Sequence, residues 1–532
     1  MLLSLLLLLQ DPLAVRADTL RPRHEALHHD ITVSIADTGS HILVQARSTW
    51  LLRSDQPLEL ELDSTYRVIW VQSDSQEGGD VKRSAYALEP GGGVYLPHGK
   101  HAGDTLHTVI RYHGYPRDGL VIRTDSAGHR TVFADNWPDR VHLWLPLQDA
   151  PSDKATVDFH VEVPASMRVV ANGTLVKIDT LAYGRRVWSF HLAERIPPYG
   201  MVIGAGDLAF TPLPDAACEV KCVPITVVTY PQDSAWAVNG PFHRAGDMVD
   251  FFSRYVGPFP YERLDHVEST TIFGGMENPT AIFYDNGAYA SQRLSEATVA
   301  HETAHQWFGD AVTEDDWHHL WLSEGFATYF SALWVRHADG DSAFRATMAR
   351  AAGAVFGSKA TARPILDSAA TDLMGLLNSN NYPKGAWVLH SLRGLMGDSA
   401  FAAGIRDYYR SFRDSTALSS DFAAVMSRAA GQDLSWYFRQ ALTQPGYPRL
   451  DVHWSWARGR LTLRVRQTQP EAWGLYRLPG LIVSVDGREL PVTVEGRETT
   501  VTLDVPKRPG TVTLDPDGWW LMQATVAPTA GT

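Results

Sequence analysis

His301-Glu302-Thr303-Ala304-His305, followed after eighteen residues by Glu324, decides how this chain is read. Two histidines four apart on a helix lie about 40° apart around its axis, so both rings reach one point. Neutral imidazoles suit zinc, and a carboxylate from a neighbouring helix supplies a third ligand while leaving one position open for water. Glu302 then projects beside the metal, where a carboxylate can accept a proton from that water. Glu324 sits in Trp321-Leu322-Ser323-Glu324-Gly325-Phe326-Ala327, itself a helix-like segment with an apolar face. The spacing predicts a metal site held by His301, His305 and Glu324.

Working outward, two further stretches stand in order around the motif. Gly274-Gly275-Met276-Glu277-Asn278 precedes it, and Tyr382-Pro383-Lys384-Gly385-Ala386 follows it. Together these residues resemble the gluzincin zinc peptidases, and within them the aminopeptidase N and leukotriene hydrolase family. The resemblance runs from about residue 130 to the C-terminus. It implies one zinc ion, Glu302 as general base and Tyr382 as the donor to a developing oxyanion. Gly274, Gly275, Met276, Glu277 and Asn278 match the family's substrate-binding segment, with Glu277 pairing to the free α-ammonium of a peptide. Peptides with a free N-terminus are the implied substrates. Many relatives carry a glutamine near position 135 that helps hold that ammonium; Asp135 stands here instead, as a replacement or as a turn residue.

Length and composition agree with a multidomain α+β protein. The 532 residues exceed one ordinary core and suggest three or four domains. Hydrophobic content of 44% with 20% charged residues describes a globular chain. The formal net charge of −13, without a basic block, argues against nucleic acid and anionic membrane as partners. The apolar run Met1-Leu2-Leu3-Ser4-Leu5-Leu6-Leu7-Leu8-Leu9 is too short to span a bilayer and suits a signal-peptide core, with Val15-Arg16-Ala17 as a cleavage pattern. Residues 1–17 therefore read as a signal peptide, favouring export and no stable membrane insertion after its removal. The two cysteines, Cys218 and Cys222, close a small loop in an oxidising compartment or remain thiols in the cytosol.

Residues 18–213 alternate with period two, as in Ile31-Thr32-Val33-Ser34-Ile35 and Leu58-Glu59-Leu60-Glu61-Leu62, and predict an all-β domain. The resemblance makes it saddle-like. Gly91-Gly92-Gly93 marks a tight turn. Asn172-Gly173 predicts a hairpin joining Arg168-Val169-Val170 to Leu175-Val176-Lys177-Ile178. From 214 to 443 apolar residues recur at three and four, as in Phe326, Tyr329, Phe330 and Leu333, after strands that end near Ile282-Phe283-Tyr284. Helices are expected around 294–310, 320–338, 342–354 and 384–396, the thermolysin-like unit of the family, with Pro383 in a first helical turn. Gln444-Pro445-Gly446-Tyr447-Pro448 reads as a linker. Residues 444–532 then carry strands around Leu461, Leu481 and Val501, and an Asp486-Gly487 hairpin, predicting a small β-sandwich.

Trp317-His318-His319 departs from the family pattern beside the metal helices. His318 and His319 are partners of the ligands or surface residues, and are not counted as ligands. Three other readings stay open. An epoxide hydrolase belongs, in the family, with a helical C-terminal domain that does not follow within this sequence. A thermolysin-like endopeptidase is disfavoured by Glu277 and its glycines. A non-catalytic peptide-binding scaffold is disfavoured because every catalytic position is filled. Without a helical roof the cleft is expected to be open, which leaves Glu277 to select chain ends.

Overall fold

The computed structural model describes residues 11–16, 22–74, 82–83, 86–88, 92–124, 128–219 and 221–529. The apolar run of residues 1–9, Ala17 and Gly91 lie outside them. The described residues form two compact units: residues 22–317 with 409–417, and residues 318–408 and 418–529 with 11–16. It is a mixed α+β chain, β-rich in its N-terminal region and helical between Trp321 and Thr443. Among the described residues no helix is long and apolar enough to cross a membrane.

In the first unit an eight-stranded sheet runs in the order Thr174–Leu181, Arg185–Ile196, Ala155–Pro164, Glu25–Ile35, Ile42–Leu51, Thr105–Gly114, Arg67–Ser73, Lys82–Arg83. All neighbours pair antiparallel except Glu25–Ile35 with Ala155–Pro164. Period-two patterning sets its register: Ile31, Val33 and Ile35 are buried while Thr32 and Ser34 are half-buried on the other face. The expected hairpin at Asn172-Gly173 does not form. Arg168–Ala171 pairs with Ile203–Gly206 in a separate four-stranded sheet, whereas Thr174–Leu181 pairs with Arg185–Ile196. Asn172 enforces the change of sheet. Its Nδ2 donates to the carbonyls of Gly200 and Pro279 at 2.8 and 2.7 Å, and its Oδ1 accepts from Val202 N at 2.6 Å. Gly173, at φ 80°, passes so near His191 that a Cβ would lie 2.1 Å from its carbonyl oxygen.

A five-stranded sheet leads to the motif region, in the order Ala209–Ala216, Val223–Thr229, Leu264–Ser269, Ala281–Asp285, Gly275–Met276. Its three middle strands are parallel, and every residue of Leu264–Ser269 is buried, as expected for a strand covered on both faces. Gly275–Met276 closes the sheet as an edge strand. Cys218 and Cys222 are joined in a disulfide.

The other unit gathers helices Trp321–Asp339, Asp341–Gly357, Gly385–Met396, Ser419–Ala430 and Ser435–Thr443. Phe326, Tyr329, Phe330 and Leu333 are all buried, as their spacing predicts. Pro383 sits one step earlier than expected. Asn380–Lys384 forms a π-type turn containing it, and the regular helix starts at Gly385. His318 and His319 are buried rather than on the surface: His318 Nε2 lies 2.9 Å from Ala370 O, and His319 lies 2.8 Å from Ser419 Oγ and 2.7 Å from Val15 O. After Thr443 the chain forms a sandwich of four and three strands around Leu461, Leu463, Leu481 and Val483. Asp486 and Gly487, both at positive φ, turn its hairpin between Val485 and Arg488.

Candidate active site

The helix Glu296–His305 starts on a cap that the sequence provides. Ser295 accepts from Thr298 N at 3.1 Å, and Glu296 in the first turn pairs with Arg244 at 2.7 Å. Such a cap contributes about 1 kcal/mol, and an acid in the first turn suits the helix dipole. Val299, Ala300 and Ala304 are fully buried, which fixes the opposite face of the helix and hence the direction of the motif side chains.

His301 and His305 converge as their spacing requires. Their Nε2 atoms stand 3.1 Å apart, with the rings nearly perpendicular at 81°. Two nitrogens bound to one tetrahedral zinc, each about 2.05 Å away, would be ~3.3 Å apart. His305 Nδ1 lies 3.0 Å from Phe308 O. That carbonyl fixes the proton on Nδ1 and leaves the Nε2 lone pair for a metal. The donor chemistry therefore fits zinc.

Glu302 and Glu277 flank the same point, each with an oxygen within 4.8 Å of the other and of a His305 ring nitrogen. Both are buried, at 6% and 5% exposure. Gly275 explains how they come so close. A Cβ at Gly275 would lie 2.2 Å from Glu302 Oε1 and 2.4 Å from its carboxyl carbon, so any side chain here would displace the Glu302 carboxylate. Because Gly275–Met276 is a sheet edge, its outer backbone groups suit an added extended peptide. Gly274 is different: nothing lies within 4 Å of a Cβ there. Asn278 is buried, and neither its Nδ2 nor its Oδ1 has a hydrogen-bond partner among the described residues.

Gln306, which the sequence analysis did not single out, ties these parts together. Its Nε2 donates to Glu277 O at 2.8 Å and Asp310 Oδ2 at 2.7 Å, while its Oε1 accepts from Thr280 N at 3.0 Å. The only signal for it was a polar residue directly after the second motif histidine. Lys154 holds the next turn, donating to the carbonyls of Asp310 and Ala311 at 2.9 and 3.0 Å. Burial pushes its amine down to about 7.

Asp135 is neither a turn residue nor an unengaged carboxylate. It pairs with Arg140 at 2.9 Å and accepts from Ile272 N at 3.0 Å, which anchors the loop entering Gly274-Gly275. Burial nevertheless holds its carboxyl above the ordinary range, outweighing Arg140.

In the other unit, Glu324 lies in the first turn of Trp321–Asp339, 5% exposed, and accepts from the Tyr382 hydroxyl at 2.7 Å. Two small residues permit this. A Cβ at Gly325 would lie 2.9 Å from Gly385 Cα, so the helices cross with their backbones nearly touching. Asn380 Nδ2 fixes the Tyr382 turn by donating to Ala360 O and Arg363 O at 2.8 and 3.0 Å.

Residues 242–440 match the model of the peptidase family M1 domain. Probable aminopeptidase 1 of Sulfurisphaera tokodaii is 27% identical over 344 residues, covering 61% of this chain and 42% of that protein. Leucyl aminopeptidase of Saccharolobus solfataricus is 29% identical over 358 residues, covering 63% and 42%. The chain thus spans less than half the length of these curated relatives. A crystal structure of an M1 zinc metallopeptidase from Deinococcus radiodurans superimposes with a TM-score of 0.70 at 26% identity, covering 80% of this chain and 95% of that one. In fold, motif and glycine edge strand the chain is thus similar to the peptidases of family M1, with the family's domain matched over residues 242–440.

Proposed function

We propose that this protein is a zinc-dependent aminopeptidase that removes N-terminal residues from peptides, using one zinc ion held by His301, His305 and Glu324. The observation that carries the reading is the cluster of His305, Glu302 and Glu277 against the Gly275 edge strand. When bound, the ion supplies Lewis acidity toward a substrate carbonyl and a water. Glu302 takes the water's proton and returns it to the leaving nitrogen. Tyr382 donates to the oxygen on which negative charge grows, an interaction stronger in the transition state than before it. Glu277 pairs with the α-ammonium, and the Gly274–Asn278 segment receives the first residues as an added strand. Aminopeptidase relatives support this assignment. The disulfide between Cys218 and Cys222 supports an exported setting, where such bonds persist.

The test is hydrolysis of a panel of aminoacyl chromogenic substrates by the zinc-loaded protein, beside their N-acetylated forms. Free amines should be cleaved, acetylated ones should be nearly inert, and a chelator should remove activity that zinc restores. Rapid internal cleavage of blocked peptides would make it an endopeptidase instead.

A further inference from the structure

The strand Thr174–Leu181 ends the eight-stranded sheet, and no strand pairs with its outer side among the described residues. It is unusually apolar for such an edge. Val176 is 64% exposed, Ile178 44% and Leu181 41%, and Tyr183 just beyond is 98% exposed. Open edges with apolar side chains invite pairing with another strand, and proteins that avoid it place charges or irregularities there. Here the charges are arranged so that they select a partner.

Read outward from Ile178, the strand is complementary to its own reverse: Lys177 on one side answers Asp179 on the other with opposite charge. We infer that this edge pairs antiparallel with the same edge of a second copy of the chain, about a two-fold axis through Ile178. In that register each Lys177 faces Asp179 of the other copy, and the two Ile178 side chains meet. Cross-strand pairs of opposite charge and of β-branched residues favour such a ladder, and a self-complementary surface is what a two-fold dimer requires. The two adjacent antiparallel registers and the parallel in-register one fail. An axis through Lys177 or Asp179 sets like charges opposite each other, and a parallel in-register pair does so at both positions.

Within one chain Lys177 Nζ and Asp179 Oδ2 are 2.8 Å apart, at 58% and 50% side-chain exposure. That pair alone stabilises little in water; two such pairs brought together form a square of alternating charge. A bulge at Val176, between Leu175 and Lys177, interrupts the edge, so the two-fold pairing is regular over Lys177–Asp179. One short ladder buries less than the ~1,600 Å² of a standard interface, so a micromolar dissociation constant is expected.

Sedimentation of the full chain from 1 to 200 µM, about the range in which a micromolar dimer dissociates, tests this. The unaltered protein should pass from monomer to dimer. Lys177→Asp and Asp179→Lys should each weaken the dimer at least about tenfold by opposing like charges. The double exchange, Lys177→Asp with Asp179→Lys, should restore it. Thermal melts and turnover per chain, which involve none of these residues, check that every variant is folded. A protein monomeric throughout, a dimer indifferent to the single changes, or a double exchange that stays monomeric would each overturn the proposal.

Discussion

The Tyr382 hydroxyl donates to Glu324 Oε1 across 2.7 Å, from a π-type turn onto the first turn of the neighbouring helix. On the proposed mechanism the phenol moves its hydrogen bond from this carboxylate to the substrate oxyanion as charge develops. Tyr382→Phe should then lower kcat by about 10²–10³-fold with KM little changed, since one such donor is worth about that factor. Steady-state kinetics on one aminoacyl substrate checks it. An effect confined to KM would assign Tyr382 to ground-state binding.

Glu302→Gln keeps the shape of the side chain against Gly275 and removes its basicity. Zinc content by elemental analysis should stay at one ion per chain while turnover falls by ~10²–10⁴-fold, the usual weight of a general base. Loss of the metal in this variant would mean that Glu302 is a ligand.

Gly275→Ala and Gly274→Ala form a matched pair one residue apart. The first places a methyl group within 2.2 Å of Glu302 Oε1, and the second meets nothing within 4 Å. Gly275→Ala should lose most activity and about 1–3 kcal/mol of stability, the cost of overpacking. Gly274→Ala should stay close to the parent in both turnover and melting temperature. Equal effects at the two positions would contradict the close approach at Gly275.

Lys384 is buried with one weak acceptor among the described residues, Gln444 O at 3.5 Å, and burial lowers its amine to about 7. In the unfolded chain the same amine titrates near 10.4. Between these values the unfolded state holds a proton that the folded state lacks, so the cost of burying Lys384 shrinks as pH rises, by at most about 1.4 kcal/mol per unit. Lys384→Met should therefore melt higher than the parent at pH 7, with the gap closing toward pH 9.5. A gap independent of pH would show that the buried amine stays charged.

The parts legible in the sequence are those whose signal is local. The histidine spacing fixes two ring directions on one helix, and period-two patterning marks Glu25–Ile35 before any contact is known. The Asp486-Gly487 turn also declares itself, because both residues adopt the positive φ that suits so short a hairpin. The same logic misread Asn172-Gly173. There the decisive partners, Gly200, Val202 and Pro279, lie 28, 30 and 107 residues away. Gln306 escaped for a similar reason, since its value lies in reaching back to Glu277 and Thr280. His318 and His319 stay open in the sequence, as partners of the ligands or surface residues, because nothing nearby announces their partners at Ala370, Ser419 and Val15.

The brace made by Gln306 carries a consequence for what the site can measure. Glu277 and the histidine pair sit on one stiff piece of protein, since a single amide holds Glu277, Thr280 and Asp310 to the residue after His305. On the proposed reading, the span from ammonium to scissile carbonyl is then a fixed gauge, set by this hydrogen-bonded brace and not by loop closure. A peptide beginning with a β-amino acid inserts one extra carbon into that span. It can seat its ammonium or its carbonyl, but not both.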